Sequence, residues 1–291
     1  MMAENAMPKV LTPTQVRDYE EQGAVAPVRI FSTEQALRYR ALLERDEAKY
    51  GPALKEALRT KPHLCLKWID EVVNSPALLD AVQDLLGPDL LLYNLSTWIK
   101  EPGDRTFVSW HQDAAYFPLD PPLQVTAWVA LSDSVEENGN VKFIAGSHRE
   151  GIFHHAAEHA AGNLLSQGQS IRSDFDPARI REMSLQPGEA SFHNTRTVHF
   201  SEPNRSARRR IGLGISYVPA SVTCTGSVRH TAMLVRGRYD GGQFDLEPRV
   251  KRHFDPDVES FRLSAVERFR AARSEQIALH EQRFSKQGPS E

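Results

Sequence analysis

The chain has 291 residues, 40% hydrophobic and 25% charged, with a formal net charge of −3. That length suits one large domain or two small ones and is ample for a buried core. That charge balance gives no global electrostatic case for nucleic acid or an anionic membrane, and the basic run NRSARRRIG (Asn204–Gly212), with four arginines, is too local to line a groove. Cys65 and Cys224 are distant and form no CxxC, so a reducing, cytoplasmic setting is expected. Neither a signal architecture nor an apolar run approaching ~18 residues is present. The expected partner is a small-molecule substrate, with no nucleic acid and no membrane; nothing specifies an oligomeric state.

Taken in chain order, the first third reads as helices. Thr12-Pro13-Thr14-Gln15 is a capping box with proline at the first helical position, and Gly23 is a stop. Ser32-Thr33-Glu34-Gln35 repeats the device and opens a longer helix to about Tyr50. Ser75-Pro76 opens PALLDAVQDLLG, which ends at Gly87. From Leu90 the pattern becomes short strands: LLLYNLSTWIK, the alternating QVTAWVALSD (Gln124–Asp133), NGNVKFIAGSH after a turn at Asn138-Gly139, MSLQPGEASFHN around Pro187-Gly188, and RRIGLGISYVPA. The stretch His154–Arg181 carries little strand signal and reads as a long insertion. After Pro248 the chain turns helical and charged, an amphipathic closing helix whose polar face is either solvated or a dimer contact. The expectation is one domain over 1–291: a helical N-terminal region over 1–88, a β core over 89–220, and a tail with a helix over 221–291. Helices, then many short strands, suggest a barrel or sandwich with helices segregated around it.

One constellation carries chemistry. In SWHQDAAYFP (Ser109–Pro118), His111 and Asp113 are two apart, so on a strand they point to the same face, within reach of one ion. A third ligand must come from elsewhere, and His199, in the β-like TVHFSEPN, is the best placed histidine. Two histidines and one carboxylate make the triad of non-haem Fe(II) oxygenases, which leaves open positions on the metal. Such a site needs electrons, a 2-oxo acid supplies them, and its far carboxylate calls for arginine. Arg210 lies on the next apparent strand, and Ser201, sharing a face with His199, can add a hydroxyl. Arg208 shares strand parity with Arg210, so parity alone does not choose between them.

With these residues in place, the run WHQDAAYFP…AWVALSDSVEENGNVKFIAGSHREG…PGEASFHNTRTVHFSEPNRSARRRIGLGISY resembles the phytanoyl-CoA dioxygenase family of Fe(II)/2-oxoglutarate oxygenases, from about Leu90 to Pro219. The N-terminal helices are also similar. The resemblance implies a mainly β fold with flanking helices and a double-stranded β-helix (jelly-roll, cupin-like) core, with Fe(II), 2-oxoglutarate and O2. It implies His111, Asp113 and His199 on iron, Arg210 and Ser201 on the 2-oxoglutarate carboxylate, and Trp128 against the co-substrate. Asn94 or Trp98, on a strand that also carries Ser96, is expected to complete that pocket. Halogenating members of the wider group lack the carboxylate; this chain keeps Asp113, which favours hydroxylation, or a related desaturation or cyclisation. The other readings are a non-catalytic jelly-roll that binds metal or ligand and a Zn-dependent hydrolase on the same three ligands.

Several neighbouring residues admit two readings. Tyr116, Phe117 and Trp110 are substrate-wall candidates or barrel core. His193 lines the pocket mouth or is a structural histidine. His148 marks a turn. His154, His155 and His159 form a loose cluster in the insertion. Gln112 points away from the metal by alternation. The insertion and the segment after Pro219 are the expected specificity elements.

Overall fold

The computed structural model describes residues 9–157, 160–165 and 169–285. Five helices precede the main strands: α1 (Pro13–Gln22), α2 (Thr33–Tyr50), α3 (Pro52–Ala57), α4 (Lys67–Val73) and α5 (Pro76–Leu86). Both expected capping boxes form, Thr12 with Gln15 and Ser32 with Gln35. Gly23 ends α1 in the left-handed region at φ 86°, a conformation that costs glycine little. A sixth helix, α6 (Pro256–Ser285), closes the chain.

The strands, in chain order, are β1 (Ala24–Arg29), β2 (Leu90–Lys100), β3 (Val108–His111), β4 (Leu119–Asp120) and β5 (Val125–Ala130). Then come β6 (Val141–Ile144), β7 (His155–Ala157), β8 (Gln169–Ile171), β9 (Ile180–Met183) and β10 (Glu189–Asn194). The last are β11 (His199–Ser201), β12 (Arg210–Pro219), β13 (Thr223–Cys224), β14 (His230–Arg236) and β15 (Phe244–Leu246). A seven-stranded sheet runs β1-β10-β5-β12-β2-β14-β15, and a four-stranded sheet runs β3-β11-β6-β9. This is the expected mainly β jelly-roll with flanking helices, with three departures: β7 and β8 pair within the stretch read as an insertion with little strand signal, and two more lie toward the ends of the large sheet. β1, inside the stretch read as helical, pairs antiparallel with β10, and β14, in the stretch read as tail, pairs with β2. The sheet is therefore built from all three expected regions of the chain.

Alternation separates the two faces of the large sheet. Leu95, Ile211, Leu213, Ile215, Val125, Ala127, Val129, Ala190 and Phe192 bury against α-helical residues such as Leu43, Trp68, Ile69, Leu78 and Val82. The opposite face carries Asn94, Trp98 and Lys100 on β2, Gly212, Gly214 and Ser216 on β12, Thr126 and Trp128 on β5, and Ser191 and His193 on β10, in register across the sheet. Trp128, Ala130, Val141, Phe143, Met183 and Leu185 fill part of the space between the sheets. Gly212 makes room there: a Cβ would lie 2.0 Å from the Trp128 ring. One helical face supplies stability, and the inner face is left free for polar groups.

Candidate active site

β3 and β11 are neighbours in the small sheet, with His199 directly opposite His111. β3 ends at His111, but Gln112 keeps extended dihedrals (φ −120°, ψ 130°) before a 3-10 turn begins at Asp113. That single extended residue preserves the two-residue spacing and turns the Asp113 carboxylate back beside His111, 3.7 Å from its Nε2. The two imidazole centroids are 4.0 Å apart. Among the described residues, the one group of three possible metal donors is His111, Asp113 and His199, with one ligand atom from each within 4.8 Å of the others.

Each histidine is aimed by its own backbone. The Nδ1 of His111 lies 2.9 Å from the Ser109 carbonyl, and the Nδ1 of His199 lies 2.9 Å from the Thr197 carbonyl. These contacts place the ring proton on Nδ1 and leave the Nε2 lone pairs facing the shared space, as metal-ligating histidines require. Burial pushes both imidazoles down, reinforced at His199 by the other rings, so both are neutral donors. Burial alone would raise Asp113, but His193, His199 and His111 outweigh it and hold the carboxyl below its usual range. The Thr126 hydroxyl donates to Asp113 Oδ2 at 2.8 Å, the Gln124 amide to Thr126 Oγ1 at 3.0 Å, and the Thr195 hydroxyl to Gln124 Oε1 at 2.8 Å. This relay orients the carboxylate.

A second feature adjoins the triad. Arg210 and Lys100 are paired residues on β12 and β2, and their side chains are 1% and 0% exposed. Lys100 Nζ donates to Ser201 Oγ at 2.8 Å and to the Glu202 carbonyl. Arg210 donates to the Gly139 carbonyl and sits with its guanidinium carbon 5.4 Å from the centre of the Trp128 ring, while its Nε has no partner among the described residues. Burial lowers Arg210 to about 10; burial, then Arg210, pushes Lys100 to about 6. Two buried basic side chains, neither in an ion pair among the described residues, lie with the Ser201 hydroxyl as a set of donors suited to an anion. The competing arginines are accounted for. Arg208 is exposed and pairs with Asp133 at 3.1 Å, and Arg209 binds Glu47 at 3.0 Å and Glu101 at 2.7 Å.

Arg210, Ser201 and Trp128 therefore come together as expected. Lys100 was not foreseen, although it continues the phase of Asn94, Ser96 and Trp98 on β2. Asn94 is buried, and its Oδ1 has no partner among the described residues, while Trp98 packs at the edge of the inter-sheet cluster against Gly214. Tyr116 lies beside the triad, its ring 6.1 Å from that of His111. His193 does too, 4.5 Å from the His199 ring and 3.8 Å from Asp113 Oδ2.

The structure turns Trp110 away from the triad. Trp110 stacks on Phe200 at 3.6 Å and abuts Phe175, because alternation turns residues 110 and 200 to the face opposite 111 and 199. Phe117 packs beside Tyr93 and Phe269, at 5.4 and 5.9 Å. The structural readings hold for Gln112 and His148. The Gln112 amide donates to the carbonyls of Gly151 and Arg196 at 2.8 and 2.7 Å, and His148 Nε2 contacts the Glu20 carbonyl at 3.0 Å. His154 stacks on Phe284 at 5.0 Å; His159 lies outside the described residues.

Residues 6–212, more than two thirds of the chain, match the model of the phytanoyl-CoA dioxygenase family. The chain belongs to that family. This member of the phytanoyl-CoA dioxygenase family is 29% identical over 198 residues to a protein of Stutzerimonas stutzeri described as a probable alpha-ketoglutarate-dependent hypophosphite dioxygenase, covering 66% of this chain and 69% of that one. It is 26% identical over 186 residues to the L-proline trans-4-hydroxylase of Streptomyces griseoviridis, covering 57% and 68%. Among solved structures, the apo form of the non-heme monooxygenase ThoJ aligns with a TM-score of 0.81 at 31% identity, over 91% of this chain and 99% of that one. No helix among the described residues is long and apolar enough to cross a membrane.

Proposed function

We propose that this chain is a single-domain Fe(II)- and 2-oxoglutarate-dependent oxygenase that hydroxylates a small-molecule metabolite, in a cytoplasmic setting that suits its two free cysteines. The observation that carries the reading is the neutral-histidine and carboxylate triad together with two buried basic side chains, Lys100 and Arg210, that have no ion-pair partner among the described residues. His111, Asp113 and His199 would hold the iron, two neutral nitrogens and one anionic oxygen being a donor set suited to Fe(II) with positions left open. Lys100, Arg210 and Ser201 would hold the far carboxylate of 2-oxoglutarate against Trp128. Bound iron supplies O2 activation, with 2-oxoglutarate as the source of electrons. The chain's own work is to aim the Nε2 atoms, orient Asp113 through Thr126, neutralise the co-substrate's charge and keep water out.

Asp113 supports hydroxylation over halogenation, because its carboxylate would take the position on a bound iron that halide needs. The L-proline hydroxylase relative supports a small substrate and a hydroxylated product. The test is anaerobic addition of Fe(II) and 2-oxoglutarate to the folded chain. A weak visible charge-transfer band is expected, followed under air by slow succinate release without added substrate. Asp113→Ala should lose the band, and Arg210→Ala should raise the 2-oxoglutarate requirement at least tenfold. Absence of the band from folded, metal-loaded protein sinks the reading. A succinate-release screen over a metabolite library, with the mass shift of the hit, identifies the reaction.

A further inference from the structure

Another cation without an anion faces the same site from the far end of the chain. α6 lays a stripe of Phe269, Arg273, Ile277 and His280 along the turn that carries Asp113. Phe269 packs on Tyr93 and Phe117, at 5.8 and 5.9 Å. Ile277 joins Ala115 and Tyr116, and His280 meets His155 at 5.1 Å. Arg273 lies between them, its guanidinium carbon 4.9 Å from the centre of the Tyr116 ring. On the same helix Arg262 pairs with Glu259 at 2.6 Å, Arg268 with Asp245 at 2.7 Å, and Arg270 with Glu56. Arg273 has no such partner among the described residues, and its Nε is buried and unbonded.

Tyr116 repeats the pattern. It is 2% exposed, and its buried hydroxyl has no hydrogen-bond partner among the described residues. Stacking answers the face of a guanidinium but not its N–H edge, and two buried donors left open side by side are costly unless a ligand closes them. The groups are also close to the chemistry: the Asp113 carboxylate is a charge that Arg273 feels, and the Tyr116 ring adjoins His111. The pocket of Lys100, Arg210 and Ser201 is built from other elements, β2, β12 and β11, so it does not use these donors.

We propose that Arg273 and the Tyr116 hydroxyl form the anchor for the primary substrate, and that this substrate carries an oxyanion, a carboxylate or a phosphorus oxyanion. The anchor would hold the substrate's charged end beside Asp113 and turn its reacting end toward the triad. C-terminal helix α6 then selects the substrate, while the sheets select metal and co-substrate. This deepens the reading of the preceding subsection and rests on it for the identity of the reaction.

The test measures binding without turnover. Full-length chain loaded anaerobically with Fe(II) and 2-oxoglutarate is titrated with propionate, methylphosphonate and the neutral isostere propionamide, with dissociation constants read by saturation-transfer NMR. At least one of the two anions should bind at least tenfold more tightly than propionamide, and the tighter of them names the anion class. Arg273→Gln should remove that tenfold preference, Arg273→Lys should keep part of it because charge remains without the fork, and Tyr116→Phe should weaken the anion several-fold. Arg270→Gln, on the outer side of the helix, should change nothing. The charge-transfer titration with 2-oxoglutarate should stay within twofold in all of them, so a missing band indicts the oxygenase reading and not the anchor. Equal binding of propionate, methylphosphonate and propionamide overturns the proposal, as does an anion affinity unchanged in Arg273→Gln, which would place the anion on the metal. If Arg273→Gln does not fold, Arg273→Lys and Tyr116→Phe decide the question by the same criterion.

Discussion

On the proposed assignment, Lys100 makes co-substrate binding a proton-linked event. Its ammonium is fully buried beside Arg210 and titrates at about 6, against roughly 10.4 for a free lysine. At pH 7.5 the side chain is therefore largely neutral, and it becomes charged when a carboxylate arrives to compensate it. The sign follows directly. Below pH 6 the cation is already present and binding is at full strength. Above pH 6 each binding event must draw a proton, so affinity falls by up to about tenfold per pH unit until the pKa of the complex is reached, or about 1.4 kcal/mol per unit. From pH 6.5 to 8.5 the loss is up to about 100-fold. The assay is calorimetric titration of 2-oxoglutarate into chain loaded with a redox-inert divalent metal, in buffers of differing ionisation enthalpy. About one proton should be taken up at pH 7.5 and roughly a quarter of one at pH 5.5, and Lys100→Met should abolish the uptake. Binding enthalpies independent of buffer at pH 7.5 in the unmutated chain would refute the reasoning.

Three further outcomes are expected. Thr126→Val removes the hydroxyl that donates to Asp113 Oδ2 and should weaken metal binding about 10- to 100-fold, measured by competition with a chelating dye. Gly212→Ala drives a methyl group into the Trp128 ring and should cost about 1–3 kcal/mol, seen as a lowered urea midpoint with an unchanged m value. Glu247→Gln strips the carboxylate that closes a buried network, bonded to Lys61 Nζ at 2.6 Å and to His63 Nε2 at 2.7 Å. Leaving Lys61 unpaired should destabilise by about 3 kcal/mol or more, again read by urea unfolding.

The triad was legible because each step in its formation is local. One extended residue, Gln112, carries the parity from His111 to Asp113, and one antiparallel register sets His199 opposite. The capping boxes of α1 and α2 were legible for the same reason, since donor and acceptor are three residues apart. β1 was hidden because AVAPVR carries a proline and finds its partner strand about 160 residues later. Lys100 was hidden because a lysine ending a strand ordinarily marks the way out to solvent; only the long-range approach of Ser201 and Arg210 buries it. Arg273 lay on a helix whose arginines and glutamates read as a solvated face, and which of them turns inward depends on how α6 meets Tyr116. The misplacement of Trp110 has the opposite origin: proximity to a ligand in sequence was weighed above the alternation that sends it to the other face.

The two-faced large sheet has a consequence for how this protein can change. Along β2 from Asn94 to Lys100, along β12 from Ile211 to Ser216 and along β5 and β10, successive residues report to different neighbours: one to the helices, the next to the reaction chamber. A mutation and the mutation beside it are thus nearly independent experiments. A library confined to Asn94, Ser191 and Ser216 would reshape the inner face while leaving the helix-facing apolar layer and the Thr126–Asp113 contact intact, and new selectivity could be sought there with little loss of stability.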